Sequence, residues 1–114
     1  MAAQIAINNF RTITNTPTTS DVQIYTAPTG YTSVFLLAQA INTGTVTRKI
    51  TFSYYDSTDT TTTPIVNDFP VPAGDTVNLL PGKLVLETGD KIAVSVDSGS
   101  DMKFLSSILE TSNF

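Results

Sequence analysis

The chain has 114 residues with 6 basic and 10 acidic side chains, a net charge of −4, and neither Cys nor His. Without Cys there are no disulfides or thiolate metal sites, and without His the commonest general base and zinc ligand is missing. The cations, Arg11, Arg48, Lys49, Lys83, Lys91 and Lys103, are scattered among acids, which argues against a nucleic-acid partner.

A chain of this length is expected to form one domain, residues 1–114, with its solvent face made largely of Thr, of which there are 20. Uncharged β-branched side chains suit the outer face of strands and oppose packing beside identical copies less than charges do. The start, MAAQIAINNFRTITNT, has neither a basic nor an apolar stretch of the secretory kind. The longest apolar run, Val34 to Ala38, is too short to span a bilayer. The expectation is a protein kept soluble in a cytoplasm, at least until assembly.

In chain order, Ile5 and Ile7 alternate with polar neighbours and lead through Phe10 and Arg11 to Ile13, predicting one long strand or two short ones. Asn15 to Ser20 reads as a loop. Val22, Ile24 and Tyr25 form a second strand, closed by the turn Ala27-Pro28-Thr29-Gly30. Val34 to Ile41 (VFLLAQAI) is apolar on both faces, as expected of a central strand or of a strand buried at a subunit contact. After a loop at Asn42–Thr45, Val46, Arg48, Ile50, Phe52 and Tyr54 should face inward and Thr47, Lys49, Thr51 and Ser53 outward, with Arg48 snorkelling near a strand end.

Asp56 to Thr63 (DSTDTTTT) reads as a polar loop and Ile65–Phe69 as a short strand. From Pro70 to Val96 the turn signals PAGD, PGK and ETGD separate strands near Thr76–Leu80, Leu84–Leu86 and Lys91–Val96. Their mechanism is Gly supplying positive φ, Pro presetting φ, and Asp bonding its own backbone. The turn Asp97–Asp101 precedes a last strand, Met102–Leu109. Roughly nine strands, no helical periodicity and frequent reversals give an all-β fold, an antiparallel two-sheet sandwich of jelly-roll or related Greek-key type.

The chemistry-bearing residues form no recognisable site. Ser and Thr have no His to activate them, and there is no G-x-S-x-G elbow. Glu87 and Glu110 are expected to be solvent-facing strand-end carboxylates rather than a glycosidase pair. Asp97 with Asp101, and Asp56 with Asp59, are too few acids for calcium and read as loop residues, while Asp75 and Asp90 each follow Gly as turn-forming Asp. Tyr54 and Tyr55 point to opposite faces, so one is exposed, for a protein contact or, less favoured, for stacking on a sugar. No catalytic, cofactor-binding or metal residue is assigned.

The segments INNFRTIT, IYTAPTGYTSVFLLAQAIN and FPVPAGDTVNLLPGKLVLETGDKIAVSVDSGSDMKFLSSILETSN resemble small virion structural proteins of tailed bacteriophages, those of cyanobacterial and marine phages in particular. The likeness covers nearly the whole chain apart from Asp56 to Thr63, and its most specific parts are Tyr25 to Thr32 and the PAG…GKLVLE-x-GD block ending in Ser107 to Glu110. It implies a non-enzymatic β-sandwich of a capsid surface, neck, tail or baseplate, capsid decoration being slightly favoured. It would act without cofactors, through contacts with other virion proteins and as a homo-oligomer. A carbohydrate- or receptor-binding sandwich is the alternative. Val34–Ile41 and the tail Leu105–Phe114, with its terminal Phe, are expected to supply the interface.

Overall fold

In a computed structural model of the chain, residues 8–113 are described, so the expectations for Ile5, Ile7 and Phe114 lie outside the described residues. The described residues form β1 (Asn8–Asn15), β2 (Val22–Thr26), β3 (Tyr31–Asn42), β4 (Arg48–Asp56), β5 (Thr61–Val71), β6 (Thr76–Asn78), β7 (Leu84–Leu86), β8 (Lys91–Val96) and β9 (Met102–Ser112). One sheet has the order β1-β9-β3-β6, with β7 also pairing with β3, and the other β2-β8-β4-β5. Every pairing is antiparallel.

The pairing partners nest. β4 pairs with β5 inside β3 with β6 and β7, then β2 with β8, then β1 with β9, so the chain is one long ribbon rolled into two sheets, a jelly roll. β6 and β7 are two pieces of a single strand position. Gln39–Ile41 pairs with β6 and Ser33–Phe35 with β7, both antiparallel, so the two pieces run in the same direction along β3. The PGK segment is therefore an interruption and not the reversal expected of it. Leu79 and Leu80 leave the ladder there to become buried, Leu79 N–H donating to Ala38 O at 2.8 Å. PAGD and ETGD carry the chain between the two sheets.

β3 occupies the centre of its sheet, as one reading of its apolar run required. The run is continuous because a bulge between Phe35 and Leu37 reverses the alternation. Ser33 and Phe35 face inward before it, Ala38, Ala40 and Asn42 after it, and Leu36 is left exposed at the bulge.

β4 deviates from its predicted pattern at two positions. Val46 precedes the strand and is exposed, and Ser53 is buried because it is small and lies between Ala93 and Pro64 of the flanking strands. β5 is longer than predicted. Thr61–Thr63 join it, leaving only residues 57–60 as the turn, in which Asp56 Oδ1 accepts the Thr58 N–H at 2.9 Å. As an edge strand, β5 is blunted by Pro64, Pro70, register shifts and a left-handed Asp68 at φ 48°.

Between the sheets, Phe35, Met102, Phe104 and Ile108 meet Ile50, Phe52, Ile92 and Val94. Phe52 and Phe104 stack across the gap at 5.6 Å between ring centroids. No helix among the described residues is long and apolar enough to cross a membrane.

Candidate interaction surface

Glu110 is buried at 4 % exposure, a correction to the solvent-facing role expected of it. Its position follows from phase, since Phe104, Ser106 and Ile108 of β9 also face inward. Its carboxylate accepts from the Tyr25 hydroxyl, from Asn9 Nδ2 at 3.1 Å and from Arg11 at 3.1 Å. Tyr25 also bonds Ser33 Oγ at 2.7 Å and meets the Phe35 ring edge-on at 5.4 Å. Strands β1, β3 and β9 of one sheet are thereby tied to β2 of the other. Glu87, by contrast, is exposed as expected.

Asp90 does its expected turn work, accepting the Glu87 N–H at 3.0 Å, and is also buried at 1 % exposure. It further accepts from the Tyr54 hydroxyl at 2.6 Å and from the Ser57 N–H and hydroxyl at 3.0 Å each, joining the β7–β8 turn to the end of β4.

For both carboxyls burial opposes ionisation, yet the donors outweigh it. Tyr25, Asn9 and Arg11 hold Glu110 below its ordinary range, and Tyr54, Ser57 and Glu87 do the same for Asp90. Burial and these same carboxylates push the Tyr25 and Tyr54 hydroxyls upward. A depressed carboxyl contributes stability above its unfolded value and loses it as pH falls through the folded one. The melting temperature should therefore be level from neutral pH down to about 4.3 and drop below it. Scanning calorimetry between neutral and acid pH checks this, and Glu110→Gln should flatten the drop; an unaltered acid limb in that variant would count against the assignment.

Asp97 and Asp101 serve separate structural bonds. Asp97 Oδ1 accepts the Lys49 N–H at 3.0 Å, and Asp101 pairs with Arg48 at 3.0 Å. Arg48 also donates to Ser98 Oγ at 2.7 Å, so the cation fills the loop where a metal was considered. Gly99, at φ +76°, lies under that guanidinium, and an added Cβ would sit 2.8 Å from it. Gly99→Ala should cost about 1–3 kcal/mol in denaturant unfolding, from the left-handed backbone and the displaced Arg48. No group of three or more acids among the described residues is placed to hold a metal ion.

The two outer faces of the sandwich differ. Across β2-β8-β4-β5 the outer face is largely polar, with Tyr55 aligned with Lys91 and Thr62 and Lys91 bonded to Thr26 at 3.2 Å, while the edge strands leave Val22 and Phe69 partly exposed. Across β1-β9-β3-β7 it is apolar at one end, where Phe10, Leu109, Val34 and Val85 stand directly opposite one another. Phe10 is 72 % and Val85 55 % exposed. Residues of both predicted interface segments, Val34, Leu36, Ile41, Leu105 and Leu109, lie on this sheet's outer side. Phe10 belongs to neither predicted interface segment, and its alternation with Asn9 and Arg11 is the sequence signal for its outward position.

The other end of the same face holds a groove of about 490 Å³ between β1, β3, β6 and β9, lined by Thr14, Gln39, Ile41, Thr76, Lys103 and Leu105 among others.

No protein-family profile and no curated protein matches the chain. Its fold is similar to that of a chain from Bacillus endospore appendages, described as a family of disulfide-linked pili, at a TM-score of 0.60 and 12 % identity over 97 % of this chain and 90 % of that one. It is also similar to part of a chain of the T13 particle of IBDV, at 0.56 and 13 % identity, covering 91 % of this chain and 31 % of that one. The VP2 protein of infectious bursal disease virus in T=1 particles gives 0.53 and 13 %, covering 95 % and 32 %. The chain thus spans about nine tenths of the appendage protein and about a third of the viral ones. At these identities the likeness is one of fold.

Proposed function

We propose that this chain is a non-enzymatic structural component of a bacteriophage particle, one jelly-roll domain that acts through protein–protein contacts and carries no catalytic, cofactor or metal site. The observation that carries the reading is the asymmetry of the sandwich, one outer face largely polar and the other lined by Phe10, Leu109, Val34 and Val85. Exposed apolar rows of this kind mark contact surfaces. The buried carboxylates, which an enzyme would need accessible, are consumed by hydrogen bonds that hold strands together.

The neighbours in fold come from pili and virus particles, which supports a building-block role, and the resemblance to tailed-phage virion proteins supplies the particle. Disulfide linkage cannot carry over from the appendage protein, because this chain has no Cys. Its contacts must be non-covalent or made by other chemistry. Capsid decoration is favoured over a neck, tail or baseplate place, with other virion proteins and further copies of itself as partners.

The test is negative-stain microscopy of purified particles labelled with an antibody to this chain. Labels spread over the capsid are expected. Labels at the tail would move the component to that organelle, and unlabelled particles would reject the reading.

A further inference from the structure

No other described element covers the outer face of the β1-β9-β3 sheet, which carries both a projecting group and a groove. Phe10 projects from one end, 72 % exposed, and the groove lies at the other. Both are on one face: Phe10 is opposite Leu109, Thr14 is opposite Leu105, and β1 and β9 pair without a register break between these rows. Four residues of strand separate knob from groove, about 13 Å. Midway between them is the row Thr12, Ser107 and Leu37, in which Thr12 and Ser107 are small enough to allow a close approach.

We infer that a second copy of this chain docks face to face on this sheet, across a two-fold axis running over Ser107, with Phe10 of each copy seated in the groove of the other. An isologous interface needs this reciprocity, one patch carrying both the projecting group and its receptor.

Charge points to the same occupant. On a chain of net charge −4, the strand residues of this face include one charged side chain, Lys103, and no acid. Two copies can therefore meet here without opposing their negative charges. The axis places Lys103 at opposite ends, each beside the incoming Phe10 ring, an arrangement that favours a cation–aromatic contact. The area suffices: the strands of this face, 8 residues of β1, 11 of β9, 12 of β3 and 3 each of β6 and β7, cover about 600 Å² per copy at a rise of ~3.3 Å and a spacing of ~4.8 Å, enough for a small specific interface.

The inference rests on the reading of the chain as an assembly subunit, and its test separates the two. Light scattering on the purified full chain at tens of micromolar should give twice the chain mass. Phe10→Lys, which puts a cation beside Lys103 of the second copy, and Gln39→Lys, which fills the groove from the other side, should each weaken dimerisation about thirtyfold or more. Gln23→Lys, exposed on the opposite sheet, should leave it unchanged. Circular dichroism melts of all three should stay near that of the parent chain, since none of the residues is in the core.

A monomeric parent chain, a dimer indifferent to Phe10→Lys or Gln39→Lys, or a dimer broken by Gln23→Lys would each overturn the interface. Presence of the chain in purified particles would still uphold the assembly reading in any of those cases.

Discussion

Replacing Asn42 with Ala should lower the free energy of unfolding by about 3–5 kcal/mol, a large share of the ~5–15 kcal/mol of an ordinary domain. Asn42 is fully buried at the end of β3, where the chain leaves one sheet for the other. Its amide donates to Val46 O at 2.7 Å and Val71 O at 2.9 Å, and its Oδ1 accepts the Gly44 N–H at 2.9 Å. Its backbone N–H donates to Asp75 O and its carbonyl accepts from Gly74. One residue thus closes its own loop and holds the end of β5 and the PAGD corner against it.

Truncation strands the buried Val71 carbonyl, at about 1–3 kcal/mol, and removes two part-buried bonds, at about 0.5–1.5 kcal/mol each. Asn42→Asp should be no milder, because it keeps the acceptor, loses both donors and buries a charge. Urea unfolding measures both variants, the slope m staying constant if the native fold survives. A loss of under about 1 kcal/mol for Asn42→Ala would show that solvent replaces these bonds.

Phe104→Ala should cost about as much, 3–5 kcal/mol, by a different route, the transfer of a large apolar side chain plus the cavity left behind. Phe104 is 1 % exposed and its ring stacks on Phe52 of the opposite sheet at 5.6 Å, so neither sheet can move in to fill the space without the other. The double variant with Phe52→Ala should cost less than the sum of the singles, since each deletion removes the same stacked contact. Leu105→Ala, one residue further on and facing outward, should cost under about 1 kcal/mol at dilutions where the chain is monomeric. Equal losses at positions 104 and 105 would contradict the inward and outward assignment of β9.

Turn chemistry carried most of the strand map. The YTAPTG and DSGSD segments bound strands that the structure places within three residues of expectation, and the fold class follows from them. The failures share a cause, the loss of simple alternation. β3 hides a phase reversal inside two adjacent leucines, and nothing local to Leu36-Leu37 distinguishes a bulge from a strand buried on both faces. β5 is exposed along most of its length, so its Thr61–Thr63 start has no apolar side to reveal it. PGK looks like a reversal because Pro and Gly break a ladder whichever way the chain then runs.

Glu110 was legible in principle, two residues on from Ile108 in the same inward phase, but its partners come from β1 and β2 and its burial depends on them. Asn42 extends the inward phase of Ala38 and Ala40 in the same way. Strand phase read to the very end of each element would have recovered both.

These buried clusters tie the strands of the two sheets together, and the outer faces of those sheets differ in polarity. The proposed role as a particle component builds on that division. The most direct test is the copy number of the chain in density-gradient-purified particles, measured by quantitative mass spectrometry against the major shell protein. Many copies are expected of a particle component, at a ratio that stays fixed through successive rounds of purification. A ratio that falls toward zero with each round would contradict that role.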